Sequence, residues 1–113
     1  VWEMAEAAGV GIELIESKIP IAPETRDVCE ALSVDPLKLM GSGALLIILE
    51  KGNVDKLLAS LSEIGVKASV IGEIKHQEEG RVLVKADGSG VELKAVDQDE
   101  VYRVLEEYGY AEP

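Results

Sequence analysis

Three successive small residues, Gly41-Ser42-Gly43, could turn backbone N–H groups toward a phosphate or another anion, because glycine lets the main chain approach such a group closely. The tripeptide has neither the length nor the lysine of a P-loop, and a plain turn from helix to strand asks for the same glycines. A second anion position is offered by Asn53 at the start of a helix, with Lys51 beside it. Helix capping accounts for Asn53 by itself, and Glu50 opposes an anion there.

The remaining reactive types are sparse. Cys29 has Asp27 and Glu30 as its nearest charged neighbours, and negative charge discourages a thiolate, so it reads as a small apolar residue. His76 with Glu73, Glu78 and Glu79 has donor types suited to a divalent ion. It is the single histidine of the chain, and the glutamates read as a solvated loop. Tyr102, Tyr108 and Tyr110 read as packing and rim residues of a last helix. The carboxylates are spread over exposed faces, where solvent keeps them all ionised, so no acid–base pair is indicated. Catalysis by this chain alone is not expected, and no metal ligand set is.

Those residues must be held by a chain of 113 residues, 47% apolar, with 22 acidic against 11 basic side chains and a net charge of −11. This fits one folded acidic domain rather than disorder, a disulfide scaffold or a membrane protein. Its field repels phosphodiester backbones and anionic lipid, so neither nucleic acid nor membrane is an expected partner. The longest strongly apolar run, Ala44 to Leu49, is far short of the roughly 20 residues that cross a bilayer. A lone cysteine agrees with a reducing compartment, and the chain reads as cytoplasmic. One Asn and two Gln beside abundant Glu and Lys fit a heat-adapted source.

The pattern predicts a helix over Trp2 to Ala8 stopped by Gly9, then a half-buried strand on Val10, Ile12 and Leu14. After Pro20 and Pro23 a helix runs from Glu24 to about Leu32, burying Val28, Ala31 and Leu32, and Asp35-Pro36 opens a short second one. Ala44 to Leu49 shows no alternation and reads as a central strand covered on both faces. Asn53 caps a helix from Val54 to Ile64 whose stripe is Leu57, Leu58, Leu61 and Ile64, with Gly65 as its stop. A strand over Lys67 to Ile74 follows, then a hairpin of Arg81 to Ala86 and Val91 to Ala95 around Asp87-Gly88-Ser89-Gly90. Asp97 with Glu100 starts a last helix, Gln98 to Tyr108, closed by Gly109. The mixture of hairpin and crossover predicts an α+β domain with a mixed, largely antiparallel sheet of four or five strands, near a ferredoxin-like core.

Several of these blocks together resemble one family. Met4-Ala5-Glu6-Ala7-Ala8-Gly9-Val10-Gly11-Ile12 is similar to the junction between the two domains of AIR synthase-related proteins, above all in their hydrogenase expression/formation (HypE-type) branch. Lys18-Ile19-Pro20, Arg26-Asp27-Val28-Cys29-Glu30-Ala31-Leu32 and Val34-Asp35-Pro36-Leu37-Lys38-Leu39 follow in that branch's order. So do Ser42-Gly43-Ala44-Leu45-Leu46, Val70-Ile71-Gly72-Glu73-Ile74 and the hairpin from Arg81 to Gly90.

The resemblance implies a three-layer α/β/α domain with partial ferredoxin-like topology. Residues 1–9 then read as the end of an inter-domain helix from an amino-terminal ATP-binding domain, and residues 10–113 as one AIR synthase-related carboxy-terminal domain. It implies a homodimeric parent that binds ATP and Mg²⁺ between two domains, with this chain as one wall of the cleft and not catalytic alone. Gly41, Ser42 and Gly43 are its expected cofactor-facing residues. The branch dehydrates a carboxamide held on a carboxy-terminal cysteine, which implies partners among carbamoyltransferase and hydrogenase iron-centre assembly proteins. Tyr108-Gly109-Tyr110-Ala111-Glu112-Pro113 carries no cysteine, and Cys29 lies in the wrong block to replace it. The alternative expectation is a free-standing regulatory or protein-interaction module with a ferredoxin-like sheet.

Overall fold

The computed structural model describes residues 1–39, 43–95 and 100–109. The chain divides into two compact units, one of Val1–Pro20 with Leu45–Lys94, the other of Ile21–Ala44 with Ala95–Pro113.

In the first unit, helix α1 (Trp2–Ala8) ends at Gly9 in the left-handed region, φ 66°, where the N–H groups of Gly9 and Val10 return to the carbonyls of Glu6 and Ala5. That closure reverses the chain into strand β1 (Gly11–Ile15), whose alternation places Ile12 and Leu14 in the core. β1 lies between two strands from much later in the sequence. It pairs antiparallel with β2 (Gly72–Lys75) from Gly11↔Lys75 to Leu14↔Gly72, and parallel with β3 (Arg81–Val84) from Ile12↔Arg81 to Ile15↔Val84. β4 (Gly90–Glu92) closes the hairpin on β3, giving the order β2-β1-β3-β4. Asp87 builds the turn by accepting from both the N–H and the hydroxyl of Ser89, at 2.9 and 2.6 Å. With one parallel and two antiparallel pairings, the class is α+β with a mixed, mainly antiparallel sheet, as expected.

Glycine is required where β1 meets its neighbours. A Cβ on Gly11 would run into the carbonyl oxygen of His76 and stand 2.7 Å from that of Gly80, while one on Gly72 would strike the carbonyl of Glu13. Helix α3 (Val54–Glu63) half-buries Leu57, Leu58 and Leu61, but Ile64, expected in its stripe, is 73% exposed. Ile64 stands past the last turn, beyond the periodicity that carries the stripe. Asn53 makes no side-chain cap, because its own backbone is already helical and closes a 3₁₀ turn, Lys51–Asn53, on the carbonyl of Glu50.

Two strand expectations change. Ala44 to Leu49 joins no ladder among the described residues, and Leu45 (84%), Ile47 (43%) and Ile48 (50%) are exposed rather than central. An unbroken apolar run specifies what the side chains prefer but supplies no pairing partner. Of Lys67 to Ile74, only Gly72 onward is strand, with the carbonyl of Ile71 adding one bond from the N–H of Ile15.

In the second unit, helix α2 (Pro23–Ala31) starts with proline in its first turn and buries Cys29, with Leu32 half-buried beyond it. The expected face was one position off: Val28 is 58% exposed and Ala31 is exposed. Ser33 occupies the left-handed position after α2 at φ 54°, from which the N–H of Val34 bonds the carbonyl of Cys29 at 2.8 Å. Asp35 caps the 3₁₀ turn Pro36–Lys38 by accepting from the N–H of Leu37 at 3.0 Å. Helix α4 (Glu100–Tyr108) stops at Gly109, and its Arg103 donates to the carbonyl of Ser33 at 2.8 Å. The proposed Asp97 start of that helix lies outside the described residues.

Candidate functional site

Of the Gly41-Ser42-Gly43 tripeptide, Gly41 and Ser42 lie outside the described residues. Gly43 is exposed, with φ 84°, a conformation open to glycine and costly for other residues. Within the apolar run that follows, half-buried Leu46 and exposed Ile48 line a cavity of about 270 Å³ in the first unit. Its other walls are Met4 and Ala8 of α1, Ile12 and Leu14 of β1, and Ile74 of β2.

One edge of α1 is held by an arginine. Arg81, the first residue of β3, donates from Nε to the carbonyl of Val10 at 3.2 Å and from Nη2 to the carbonyl of Ala5 at 3.3 Å, while Nη1 pairs with the Glu6 carboxylate. Its guanidinium carbon also lies 5.5 Å from the centroid of the Trp2 ring, within cation–π range. The side chain is 16% exposed, so these bonds are made largely out of water. Sequence reasoning missed this cluster, since residues 71 to 76 positions apart leave no local signal.

The other charged residues pair at the surface. Glu73 stands between Lys75 at 3.3 Å and Lys51 at 3.6 Å, and its carboxyl is held below its ordinary range by the hydrogen bond from Lys75 and then by the charge of Lys51. The same contact with Glu73 raises Lys75. His76 and Glu79 form a capping box on the 3₁₀ turn Gln77–Glu79, the imidazole accepting from the Glu79 N–H and the Glu79 carboxylate from the His76 N–H at 3.0 Å. His76 and Glu73 are thus engaged separately. Among the described residues no group of three or more His, Cys, Asp and Glu could hold a metal ion. Cys29 is 4% exposed, which keeps its thiol from solvent. The side chains of Tyr102 and Tyr108, and all of Tyr110, are outside the described residues. No described helix is long and apolar enough to cross a membrane.

Residues 1–85 match the family model described as AIR synthase related protein, C-terminal domain. The chain belongs to that family. Carbamoyl dehydratase HypE of Escherichia coli is 39% identical to this AIR synthase-related domain over 80 residues, 69% of this chain and 24% of the relative. A putative hydrogenase expression/formation protein of Methanocaldococcus jannaschii is 32% identical over 83 residues, 72% of this chain and 25% of its own. The chain therefore spans about a quarter of the length of these relatives.

Solved structures agree with the sequence matches. A crystal structure of E. coli HypE superposes with a TM-score of 0.78 at 34% identity, covering 92% of this chain and 33% of that one. A crystal structure of a HypE–HypF complex matches with a TM-score of 0.72 at 26% identity, over 82% of this chain and 31% of that one. The fold is thus that of the AIR synthase-related carboxy-terminal domain.

Proposed function

We infer that this domain serves a hydrogenase maturation protein of the carbamoyl dehydratase kind, in which it forms one wall of an inter-domain nucleotide and substrate cleft and is not catalytic alone. The observation that carries the reading is the 39% identity to E. coli carbamoyl dehydratase HypE, joined to the 0.78 TM-score with a HypE crystal structure. The described residues do not by themselves fit Mg·ATP. They offer no metal-binding cluster, and Lys75, Arg81 and Lys85 already face the carboxylates of Glu73, Glu6 and Glu16. The nucleotide and its Mg²⁺ are accordingly assigned to the rest of the protein, with Gly41, Ser42 and Gly43 as this chain's contribution to the cleft. A carbamoyltransferase of the HypF kind is the proposed partner, on the strength of the HypE–HypF complex that the fold matches. A homodimeric parent working in the cytoplasm completes the reading.

Calorimetric titration with Mg·ATP tests it. The intact protein is expected to bind the nucleotide and release ADP on incubation with a carbamoylated acceptor, and the 113-residue chain alone to do neither. Tight Mg·ATP binding by the isolated chain, or none by the intact protein, overturns the assignment.

A further inference from the structure

We propose that Arg81 is a positioning residue of the intact protein: it braces α1 against the sheet and so fixes the direction in which the amino-terminal domain is carried, and with it the width of the cleft. This rests on the reading above, in which residues 1–9 end a helix arriving from that domain. The angle of such a helix is ordinarily set by its packing on the domain it enters, and here that packing is thin. Ala5 is the one buried residue of α1. Met4 is 42% exposed, and Met4 and Ala8 border the cavity of about 270 Å³. Atoms that face a void forfeit the dispersion attraction that otherwise fixes a helix on a sheet.

Arg81 supplies what the packing lacks, and it grips α1 along its whole length. The guanidinium lies over the Trp2 ring in the first turn, donates to the carbonyl of Ala5 in the middle, and pairs with the Glu6 carboxylate. Its Nε donates to the carbonyl of Val10, just past the left-handed closure at Gly9. Contacts at both ends of the helix, made by one planar group whose donor directions are fixed, resist rotation of α1 about its axis and tilt about Gly9 alike. The brace is itself anchored. Arg81 is in parallel register with Ile12 of β1, and its carbonyl accepts from the N–H of Leu93 at 2.8 Å. Gly9 meets nothing within 4 Å of where a Cβ would stand, so beyond the two cap bonds the joint takes its stiffness from Arg81.

Two measurements on the intact protein test this: small-angle scattering, which reads the separation of the domains with or without nucleotide, and calorimetric titration with Mg·ATP. Arg81→Met keeps the apolar stem and removes every donor. It is expected to enlarge the radius of gyration and to weaken Mg·ATP binding roughly ten-fold, because apparent affinity falls with the fraction of molecules held at the binding angle. At saturating Mg·ATP the scattering should return to that of the parent, which separates a loosened joint from partial unfolding. Arg81→Lys keeps the charge without the fork and should fall between. Lys85→Met removes the same unit charge, from a pair with Glu16 at 3.2 Å, and should match the parent in both measurements. If the parent binds Mg·ATP, an unchanged scattering curve or an unchanged affinity in Arg81→Met overturns the proposal, and so does an equal loss in Lys85→Met. A parent that binds none overturns the cleft reading instead, and the brace then stands or falls on the scattering alone. Should Arg81→Met fail to fold, Glu6→Gln decides: a smaller shift of the same sign supports the brace, and none refutes it.

Discussion

Replacing Gly11 by alanine sets a general rule against a local contact. In an extended segment Gly→Ala ordinarily stabilises by about 0.4–1 kcal/mol, because the unfolded chain has less freedom to lose. At Gly11 the added Cβ would run into the carbonyl oxygen of His76 and lie 2.7 Å from that of Gly80 and 3.1 Å from the carbonyl carbon of His76. These are backbone atoms, and both ends of the 3₁₀ turn Gln77–Glu79 must withdraw together. The withdrawal breaks the 3.0 Å bond from the Ile12 N–H to the Gly80 carbonyl, leaving a donor unpaired beside a residue that is 6% exposed. An unpaired buried donor costs about 1–3 kcal/mol. Adding loss at the Gly11↔Lys75 end of the ladder and subtracting the entropic gain leaves Gly11→Ala destabilising by about 2 kcal/mol, or roughly 10 °C in Tm. Gly52 is the control: its φ is not positive and a Cβ there meets nothing within 4 Å, so Gly52→Ala should be neutral to stabilising by up to about 1 kcal/mol. Urea denaturation of the two variants beside the parent chain provides the assay. A Gly11→Ala protein as stable as Gly52→Ala would refute the steric argument.

Three further outcomes follow from single contacts. Ser33→Gly should stabilise by about 0.5–1 kcal/mol in thermal unfolding, since φ 54° strains any residue with a Cβ and glycine's extra unfolded-state freedom offsets only part of the relief. Cys29→Ser should destabilise by about 1–3 kcal/mol and by more than Cys29→Ala, because it buries a hydroxyl where a thiol is 4% exposed; a thiol reagent should modify Cys29 at an appreciable rate only after urea is added. Asp87 should titrate below its ordinary value in a carboxyl NMR experiment, held down first by the Ser89 hydroxyl and then by the Ser89 N–H, and should move up in Ser89→Ala. A carboxyl lowered on folding contributes its stability above the unfolded value, so the hairpin keeps this contribution at neutral pH and loses it as acid takes the pH down through the lowered value.

Elements bounded by local chemistry were legible in the sequence. Gly9 closes α1, Asp35 caps the turn after α2, and Asp87 to Gly90 turns the hairpin, each through atoms a few residues apart. What escaped depends on distant partners. Val28 and Cys29 are adjacent on α2 and both apolar, and only the packing of the second unit selects Cys29 for burial. Ala44 to Leu49 announces its dislike of water, but whether a ladder forms is decided by backbone groups elsewhere in the chain. Asn53 has the right type for a cap and the wrong backbone angles, which composition does not encode. The Arg81 cluster joins α1 to β3 across more than 70 positions, so a lone arginine opening a strand gives no hint of it. For the candidate site, Gly43 alone of its tripeptide is described, with the positive φ that explains why glycine stands there.

The placement of β1 has a consequence for synthesis on the ribosome. Both of its neighbours, β2 and β3, are translated only after residue 71, so β1 waits unpaired while the intervening chain emerges. Closing so long a loop carries an entropic cost before any bond offsets it, which slows the search and leaves Ile12 and Leu14 open to stray association. Once Val84 has emerged, both strands that flank β1 are at hand, and the antiparallel and parallel ladders form nearly together. The second unit is later still, because Ser33 cannot receive Arg103 until α4 is made. The order of assembly is thus set by chain position, with the nascent domain completing its sheet before its carboxy-terminal helix is available.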